Sequence, residues 1–214
     1  MFLQTAGQAM RIKHNTNINL VQRIILDMPG KLNKTIRYTC SMLHKIKEEY
    51  GKLHDDLLKE KRLIRPTDLG YSGSASAEVV FEFFRRIKLD KYSSFLDLGS
   101  GDGKVVLVAS LFTEAAGIEI DRKLIKTAES IKKRLGIKNA EFIQGDFLDA
   151  DMSSYGIMFI NPDQPLYEIE KKLRNEMAGK QRLAVFGGLY KPLNLKLEKE
   201  YSIQGVWFGV YKNR

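Results

Sequence analysis

Residues 94–103 read Ser-Phe-Leu-Asp-Leu-Gly-Ser-Gly-Asp-Gly, a short apolar run followed by an acid and three spaced glycines. The apolar run predicts a buried strand, and Gly99, Gly101 and Gly103 predict a turn after it. Glycine adopts positive φ easily and has no Cβ, so a ligand can lie directly against such a backbone. The stretch therefore predicts a strand that leads into a ligand-binding turn.

The glycine spacing distinguishes two kinds of nucleotide-binding turn. A dinucleotide fingerprint has its last glycine three residues after the second, and Lys104 occupies that position here. The arrangement of Asp97 with Gly99, Gly101 and Gly103 instead resembles motif I of the class I S-adenosylmethionine (SAM)-dependent methyltransferases. The resemblance implies SAM as the cofactor, with these four residues in its site.

Two more acids stand at the ends of predicted strands. Glu119 ends the run that begins at Ala115, and Asp146 and Phe147 follow the run that begins at Ala140. A nucleoside cofactor needs acceptors at the carboxyl ends of successive strands. The resemblance implies that Glu119 binds the ribose, that Asp146 accepts from the adenine amine and that Phe147 packs on the ring. Either acid alone would more often be a solvated turn residue, so the prediction depends on the order of all three features.

Strands and helices are predicted to alternate through the second half of the chain. The expected elements are a helix at 121–135, a strand at 157–160, a helix at 166–177 and a strand at 182–186. This alternation predicts an α/β fold with a doubly wound, mainly parallel, Rossmann-like sheet. Two strand-like runs at 201–203 and 206–211 could supply the antiparallel strand that closes the sheet in the resembled family.

The predicted fourth strand ends in Asn161-Pro162-Asp163-Gln164, at the sheet edge where such folds bind ligands. Enzymes of the resembled family that methylate adenine or glutamine amines usually have Asn-Pro-Pro-aromatic here. This sequence keeps Asn161 and Pro162, the candidate catalytic residues, but has Asp163 and Gln164 where the proline and the aromatic residue belong. A stacking ring could still come from another position, from Phe159, Tyr167 or Tyr190. The departure favours a lysine-type amine as the methyl acceptor.

A second candidate segment precedes motif I. Residues 67–76 contain glycines and serines and predict an irregular loop after Pro66. In the resembled family such a segment closes over the methionine end of the cofactor, and lysine methyltransferases often have an aromatic followed by small hydroxyl residues. Tyr71 and Ser74 resemble that pattern, which implies a catalytic position for Tyr71 and a cofactor contact for Ser74. A plain linker is the alternative.

The sequence looks most like archaeal-type protein-lysine methyltransferases and their non-SET histone-lysine relatives. Tyr71-x-x-Ser74, the motif I string and the charged run after the fourth strand carry this resemblance. It predicts a protein lysine side chain as substrate. Methylation of an RNA or DNA base is the first alternative, and a non-catalytic binding protein that retains the SAM fold is the second.

The basic charge lies in an N-terminal extension. Residues 1–66 hold 13 Lys and Arg against 6 Asp and Glu, a net +7 of the chain's +9. We therefore expect two parts, a basic helical extension at 1–66 and the methyltransferase domain at 67–214, with the extension choosing partners and leaving cofactor binding intact. A positive surface favours nucleic acid or an acidic protein, although a solvated helix face has the same charge pattern.

Helices are predicted within the extension at 17–27 and from Lys31 to about Ile64. The second helix carries an apolar seam, which could pack on the domain or pair two chains as a short coiled coil. The seam is formed by Ile36, Leu43, Ile46, Tyr50, Leu53 and Leu57.

The single Cys40 excludes a disulfide framework within the chain and fits a reducing compartment. No metal site, membrane span or signal peptide is expected, and cytoplasm is the default location.

Overall fold

The computed structural model describes residues 34–59, 65–67, 70–72 and 76–214. The helix expected at 17–27 and the cofactor contact expected of Ser74 lie outside these residues, and of Tyr71 only the backbone is described. In chain order the elements are α1 (Lys34–Lys59), β1 (Arg65–Thr67), β2 (Gly70–Ser72), α2 (Ala77–Ile87), a 3-10 turn (Leu89–Lys91), β3 (Phe95–Leu98), α3 (Lys104–Ala109), β4 (Ala115–Glu119), α4 (Arg122–Leu135), β5 (Ala140–Gln144), β6 (Ile157–Ile160), α5 (Tyr167–Glu176), β7 (Arg182–Phe186), β8 (Lys196–Ile203) and β9 (Val206–Lys212).

Strands β3 to β9 form one sheet in the order β5-β4-β3-β6-β7-β9-β8. The first five strands in this order are parallel, and β9 pairs antiparallel with both β7 and β8. Strands β4 and β5 are added on one side of β3, and β6 and β7 are added on its other side. The carboxyl end of β3 is therefore the switch point at which such sheets bind ligands. The predicted α/β class and mainly parallel sheet are confirmed.

The central strands are buried on both faces, as their continuous apolar sequences require. Phe95 of β3 and Phe159 of β6 belong to one core cluster, together with side chains of α1 to α4. Leu96 and Met158 point to the opposite face and pack with side chains of α5. Successive residues of a strand alternate between faces, and the two clusters follow that alternation. Helices therefore cover both sides of the strands that end at the site.

Helix α1 is described over residues 34–59 of the predicted span of 31–64, and its apolar seam packs within the chain. Leu43, Ile46 and Tyr50 are buried in the same core cluster as α2, α3 and α4, and Leu53 packs against that cluster. Helix α1 thus shares a core with the domain that follows it. The division of the chain at residue 66 stays a prediction, and so does a coiled-coil dimer.

Residues 67 and 70–72, within the segment expected to be an irregular loop, lie in strands. Strands β1 and β2 pair antiparallel as a small hairpin, with Pro66 opposite Tyr71. Each strand contributes three residues to the pairing. A two-stranded sheet tolerates proline because an edge strand needs no hydrogen-bond donor on its outer side.

No helix in the described part of the chain is long and apolar enough to cross a bilayer.

Candidate active site

A cavity of about 510 Å³ opens at the carboxyl edge of the sheet. Its volume lies in the ordinary range for small-molecule sites. The residues that line it come from the ends of β3, β4 and β6, the turns that follow them, the loop after β5 and the start of α5. Of the predicted site residues, the lining includes Asp97, Gly99, Gly101, Glu119, Asp146, Phe147, Asn161 and Pro162. Residues separated by more than sixty positions in the sequence thus meet in one cavity.

The glycine turn is fixed by main-chain hydrogen bonds to the neighbouring strand. The N–H groups of Gly99 and Ser100 both donate to the carbonyl of Ile118 at 2.9 Å. Gly99 and Gly101 have φ values of 77° and 57°, in the left-handed region that side chains disfavour. The turn therefore needs glycine at these positions, and its backbone lies open to the cavity.

Glu119 locks the turn from the end of β4. The N–H of Gly101 donates to its Oε2 at 2.8 Å, and the N–H of Asp121 donates to its Oε1 at 2.8 Å. The side chain is only 7% exposed. A carboxylate oxygen accepts more than one hydrogen bond, so both oxygens keep capacity for hydroxyl donors such as those of a ribose. The same carboxylate can thus shape the turn and bind a ligand.

Asp97 is the penultimate residue of β3 and is 3% exposed. Burial raises the pKa of this carboxyl well above its ordinary value, and the nearby acids Glu119 and Asp102 raise it further. A cationic group bound in the cavity would favour the ionised form. The site is therefore suited to a ligand that carries positive charge close to Asp97.

The loop after β5 supplies the adenine side of the predicted site. The N–H of Leu148 donates to Oδ1 of Asp146 at 2.8 Å, and the N–H of Gly145 donates to the carbonyl of Glu119. A Cβ placed on Gly99 would lie 3.9 Å from the ring of Phe147. The ring of Phe147 therefore lies close to the glycine turn, and its packing on a bound base stays a prediction.

Gly103 is placed differently from the expectation for a cofactor contact. It is buried outside the cavity lining, and a Cβ there would lie 2.6 Å from Ala128 and from the ring of Phe142. Its φ of 83° starts α3 beneath the turn. The sequence did not single out Gly117, where a Cβ would lie 2.5 Å from Ser100. Both glycines allow close packing that holds the turn against β4 and α4.

The predicted methyl-acceptor side is more open. Asn161 is exposed and Pro162 half-buried directly after β6, and both line the cavity. Tyr167 begins α5 at the cavity mouth and is 61% exposed. The lining also includes Asp163 and Glu168, which sequence reasoning did not assign. The charged run after the fourth strand was the signal for these two acids.

Lys104 is a further residue that the sequence pattern did not assign to the site. It lines the cavity at the first position of α3. Burial lowers the pKa of its ammonium group, while Asp102 and Glu78 act in the opposite direction. Among the described residues that line the cavity, it is the one basic side chain against six carboxyl groups. Lys104 could therefore receive a ligand carboxylate.

Within the described stretches of the chain, no cluster of three His, Cys, Asp or Glu side chains could hold a metal ion.

Comparison with known proteins identifies the fold and part of the domain. The methyltransferase domain family matches residues 89–179. The mouse EEF1A lysine methyltransferase 2 is 27% identical over 152 residues, which cover 63% of this chain and 61% of that protein. The protein-L-isoaspartate O-methyltransferase of Thermotoga maritima is 27% identical over 135 residues, which cover 60% of this chain and 40% of that protein. The chain thus spans less than two thirds of either relative.

Solved structures show the same architecture. An RNA methyltransferase from Salinibacter ruber, in complex with S-adenosyl-L-homocysteine, superimposes with a TM-score of 0.59 at 23% identity. The superposition covers 65% of this chain and 93% of that one. At this identity the likeness shows the fold. Together with the matched domain and the motif I turn at the switch point of the sheet, it supports the resemblance of residues 89–179 to the class I SAM-dependent methyltransferases.

Proposed function

We propose that this chain transfers the methyl group of SAM to an amine nitrogen, and that the acceptor is the side chain of a protein lysine. The observation that carries the proposal is the acidic, open mouth of the cavity beside Asn161 and Pro162. The acceptor must enter through this mouth, so its charge and shape have to suit the side chains that stand there.

The cavity has groups for each polar part of the cofactor. Bound SAM supplies an electrophilic methyl group on a sulfonium, together with an ammonium, a carboxylate, ribose hydroxyls and an adenine. We assign Glu119 to the ribose and Asp146 to the adenine amine. Asp97 lies buried where a cation would stabilise its ionised form, and Lys104 can pair with the carboxylate. The acid-rich lining therefore fits a ligand with two positive groups and one negative group.

Charge favours a lysine at the acceptor side. Asp163 and Glu168 stand exposed at the cavity mouth next to Asn161. Exposed carboxylates attract an approaching ammonium and repel the phosphates of a nucleic acid. Methyl transfer also needs a neutral nitrogen with its lone pair toward the methyl carbon, and the sulfur–methyl bond breaks as the nitrogen–methyl bond forms. The side chain of Asn161 can accept a hydrogen bond from such a nitrogen, so alignment is the main contribution of these residues.

The position after Pro162 supports the same acceptor. Asp163 and Gln164 occupy the places where base-amine enzymes of this family usually have proline and an aromatic residue. Stacking on an aromatic side chain stabilises a bound base by about 1–3 kcal/mol, whereas an aliphatic amine does not need it. The name of the mouse relative, a lysine methyltransferase, adds support from outside the chain.

Base methylation is the second candidate, and Tyr167 favours it. The ring of Tyr167 is 61% exposed and lines the cavity, so it could serve as a stacking platform. Phe159 is fully buried, and Tyr190 does not line the cavity. The net charge of +7 on residues 1–66 would also help to attract nucleic acid. A catalytically inactive SAM-binding protein is a third candidate.

An incubation with cell lysate separates these candidates. The full chain and methyl-labelled SAM are added to lysate, which is then divided into protein and nucleic-acid fractions. We expect label in protein, which protease removes and nuclease does not. Asn161→Ala serves as the variant with an altered acceptor side, and we expect it to lower the incorporation. Label confined to nucleic acid would favour base methylation, and no label above the background of the lysate would favour the binding protein.

A further inference from the structure

A hydrogen bond reaches the glycine turn from a helix outside the matched methyltransferase domain. The hydroxyl of Tyr50, on α1, donates to the main-chain carbonyl of Asp102 at 2.7 Å. Asp102 lies between Gly101 and Gly103, in the part of the turn that lines the cavity. Tyr50 is 5% exposed, so the bond is shielded from water. Burial raises the pKa of the Tyr50 hydroxyl well above its ordinary value, and Asp102 raises it further, so the group stays a donor.

Among the described residues, several further bonds that shape the turn come from the domain itself. Ile118 accepts from the start of the turn, Glu119 accepts from Gly101, and the carbonyl of Ser100 accepts from the N–H of Gly103. The bond from Tyr50 acts on the Asp102–Gly103 peptide, just before α3 begins, and the N–H of this same peptide donates to Ser100. Gly103, with a φ of 83°, has little conformational preference of its own. The bond to the carbonyl is therefore a second anchor that limits reorientation of the peptide.

Helix α1 is held against the domain in the two turns that precede Tyr50. Lys47 forms an ion pair with Glu78 of α2, and Nε of Arg134 on α4 lies 2.6 Å from Oε2 of Glu49. Leu43 and Ile46, about two turns and one turn before Tyr50, are buried in the shared core. The side chain of Tyr50 therefore extends from a packed helix and is itself buried, so its hydroxyl has a fixed position.

The ring of Tyr50 also borders the cationic side chain of the cavity. Nζ of Lys104 lies 5.0 Å from the centroid of the ring, within the range of a cation–π contact. One residue of α1 thus touches the turn through its hydroxyl and the first residue of α3 through its ring. Both of these partners line the cavity.

We propose that Tyr50 is a positioning residue that holds the glycine turn in its cofactor-binding shape, which makes α1 part of the SAM site. The proposal rests on the SAM binding proposed above. Without the bond, the Asp102 peptide samples other orientations, and the cofactor must order it on binding. The extension then contributes to cofactor binding, in contrast to the role in partner choice alone that the charge distribution predicts.

The test is the Tyr50→Phe variant of the full chain, because phenylalanine keeps the ring and removes only the hydroxyl. Binding of S-adenosylhomocysteine is measured by titration calorimetry, since the demethylated product binds without turnover. We expect Kd to rise about three- to tenfold, the change that corresponds to one net hydrogen bond. The midpoint of thermal unfolding of the ligand-free protein should change little, and in steady-state assays KM for SAM should rise while KM for the acceptor does not.

Two control variants separate this role from a general loss of a tyrosine hydroxyl. Tyr211 is buried in β9 outside the cavity lining, and Tyr38 is exposed on α1 itself. Tyr211→Phe and Tyr38→Phe should leave Kd within about twofold of the wild-type value. An equal rise in Tyr211→Phe, or an unchanged Kd in Tyr50→Phe, would overturn the positioning role while SAM binding stands. A wild-type protein that fails to bind the product would overturn the proposed function and this inference with it.

Hydrogen exchange provides a second measurement, which distinguishes loosening of the turn from loosening of the whole domain. In the wild-type protein, the amides of residues 101–104 should exchange more slowly when the product is bound. In Tyr50→Phe without ligand they should exchange faster than in the wild type, while the amides of β4 are unchanged. Equal exchange at 101–104 in the two proteins would contradict the inference. A variant that loses protection throughout the domain would show that Tyr50 is needed for folding and would also contradict it.

Discussion

The two ends of the cavity differ in how firmly the chain determines their chemistry. At the cofactor end, Asp97 and Glu119 are 3% and 7% exposed, and Glu119 has both oxygens hydrogen-bonded. At the acceptor end, Asn161 is exposed and Tyr167 is 61% exposed on a loop and a helix start. Buried polar groups need defined partners, since leaving one unsatisfied costs about 1–3 kcal/mol. Exposed groups have no such requirement.

Because of this difference, the fold indicates which cofactor is bound but does not indicate which molecule accepts the methyl group. The proteins that resemble this chain include a lysine methyltransferase, an isoaspartate O-methyltransferase and an RNA methyltransferase, as their names state. A cofactor end built from strand termini can stay the same while the loops after β6 and β7 change. We therefore expect substitutions at the cofactor end to have larger effects than substitutions at the acceptor end.

The largest effect is expected from Gly103→Ala. A Cβ there would lie 2.6 Å from Ala128 and Phe142, at a φ of 83°. Overpacking and left-handed strain together should cost about 3 kcal/mol or more in the free energy of unfolding. Gly136→Ala is the matched control, because Gly136 has a φ of 67° but open space around it, and about 1 kcal/mol is expected. Urea unfolding measures both. Equal losses would show that packing beneath the turn is not tight.

Glu119→Ala should weaken cofactor binding strongly. The change removes the proposed ribose acceptor and leaves the N–H groups of Gly101 and Asp121 without their partner. Hydrogen bonds to a charged group contribute about 1.5–3 kcal/mol, so Kd for SAM should rise about tenfold to more than a hundredfold. The control is Glu141→Ala, an exposed acid of β5 outside the cavity lining. Calorimetry that finds unchanged affinity in Glu119→Ala would remove this residue from the site.

Binding of SAM should depend on pH through Asp97. The pKa of this carboxyl is raised by burial in the free protein, and a bound cation favours the ionised form. Binding therefore lowers the pKa and releases a proton, so affinity should increase as pH rises through the raised pKa and then level off. Calorimetry in buffers of different ionisation enthalpy measures the proton release. Proton uptake, or an affinity that falls over this range, would contradict the assignment. Asp97→Asn should remove the dependence.

The acceptor end should respond least. Glu168→Gln removes an exposed charge from the cavity mouth, and exposed charges contribute at most about 1 kcal/mol. We expect KM for the acceptor to rise about two- to fivefold, with Kd for SAM unchanged, and the effect to weaken in high salt. Glu176→Gln, at the other end of α5, is the control and should leave both constants unchanged. A changed Kd for SAM in Glu168→Gln would place this acid at the cofactor end.

The parts of the molecule that could be predicted from sequence are those with local causes. Phe95–Leu98, Ala115–Glu119 and Ile157–Ile160 are short apolar runs bounded by turn residues, and all three form the expected strands. Glycine spacing also gave the turn after β3. These signals lie within a few residues of the structure they determine.

The remaining features depend on contacts between distant residues. Gly103 looks like a ligand contact because its spacing matches the motif, but Phe142 packs where its side chain would be. The bond from Tyr50 to Asp102 joins residues 52 positions apart. An apolar seam on a helix predicts that it packs, and does not predict its partner.

The central claim is that the methyl group of SAM reaches a lysine nitrogen at the open end of this cavity. Complete hydrolysis of the labelled material from the lysate incubation, followed by chromatography and mass spectrometry, tests it most directly. The expected product is Nε-methylated lysine, which survives both acid and alkali and is reduced in the Asn161→Ala sample. A label that alkali releases as methanol would indicate a carboxyl ester. Such an ester, or label recovered as methylated adenine or guanine with none in lysine, would contradict the claim.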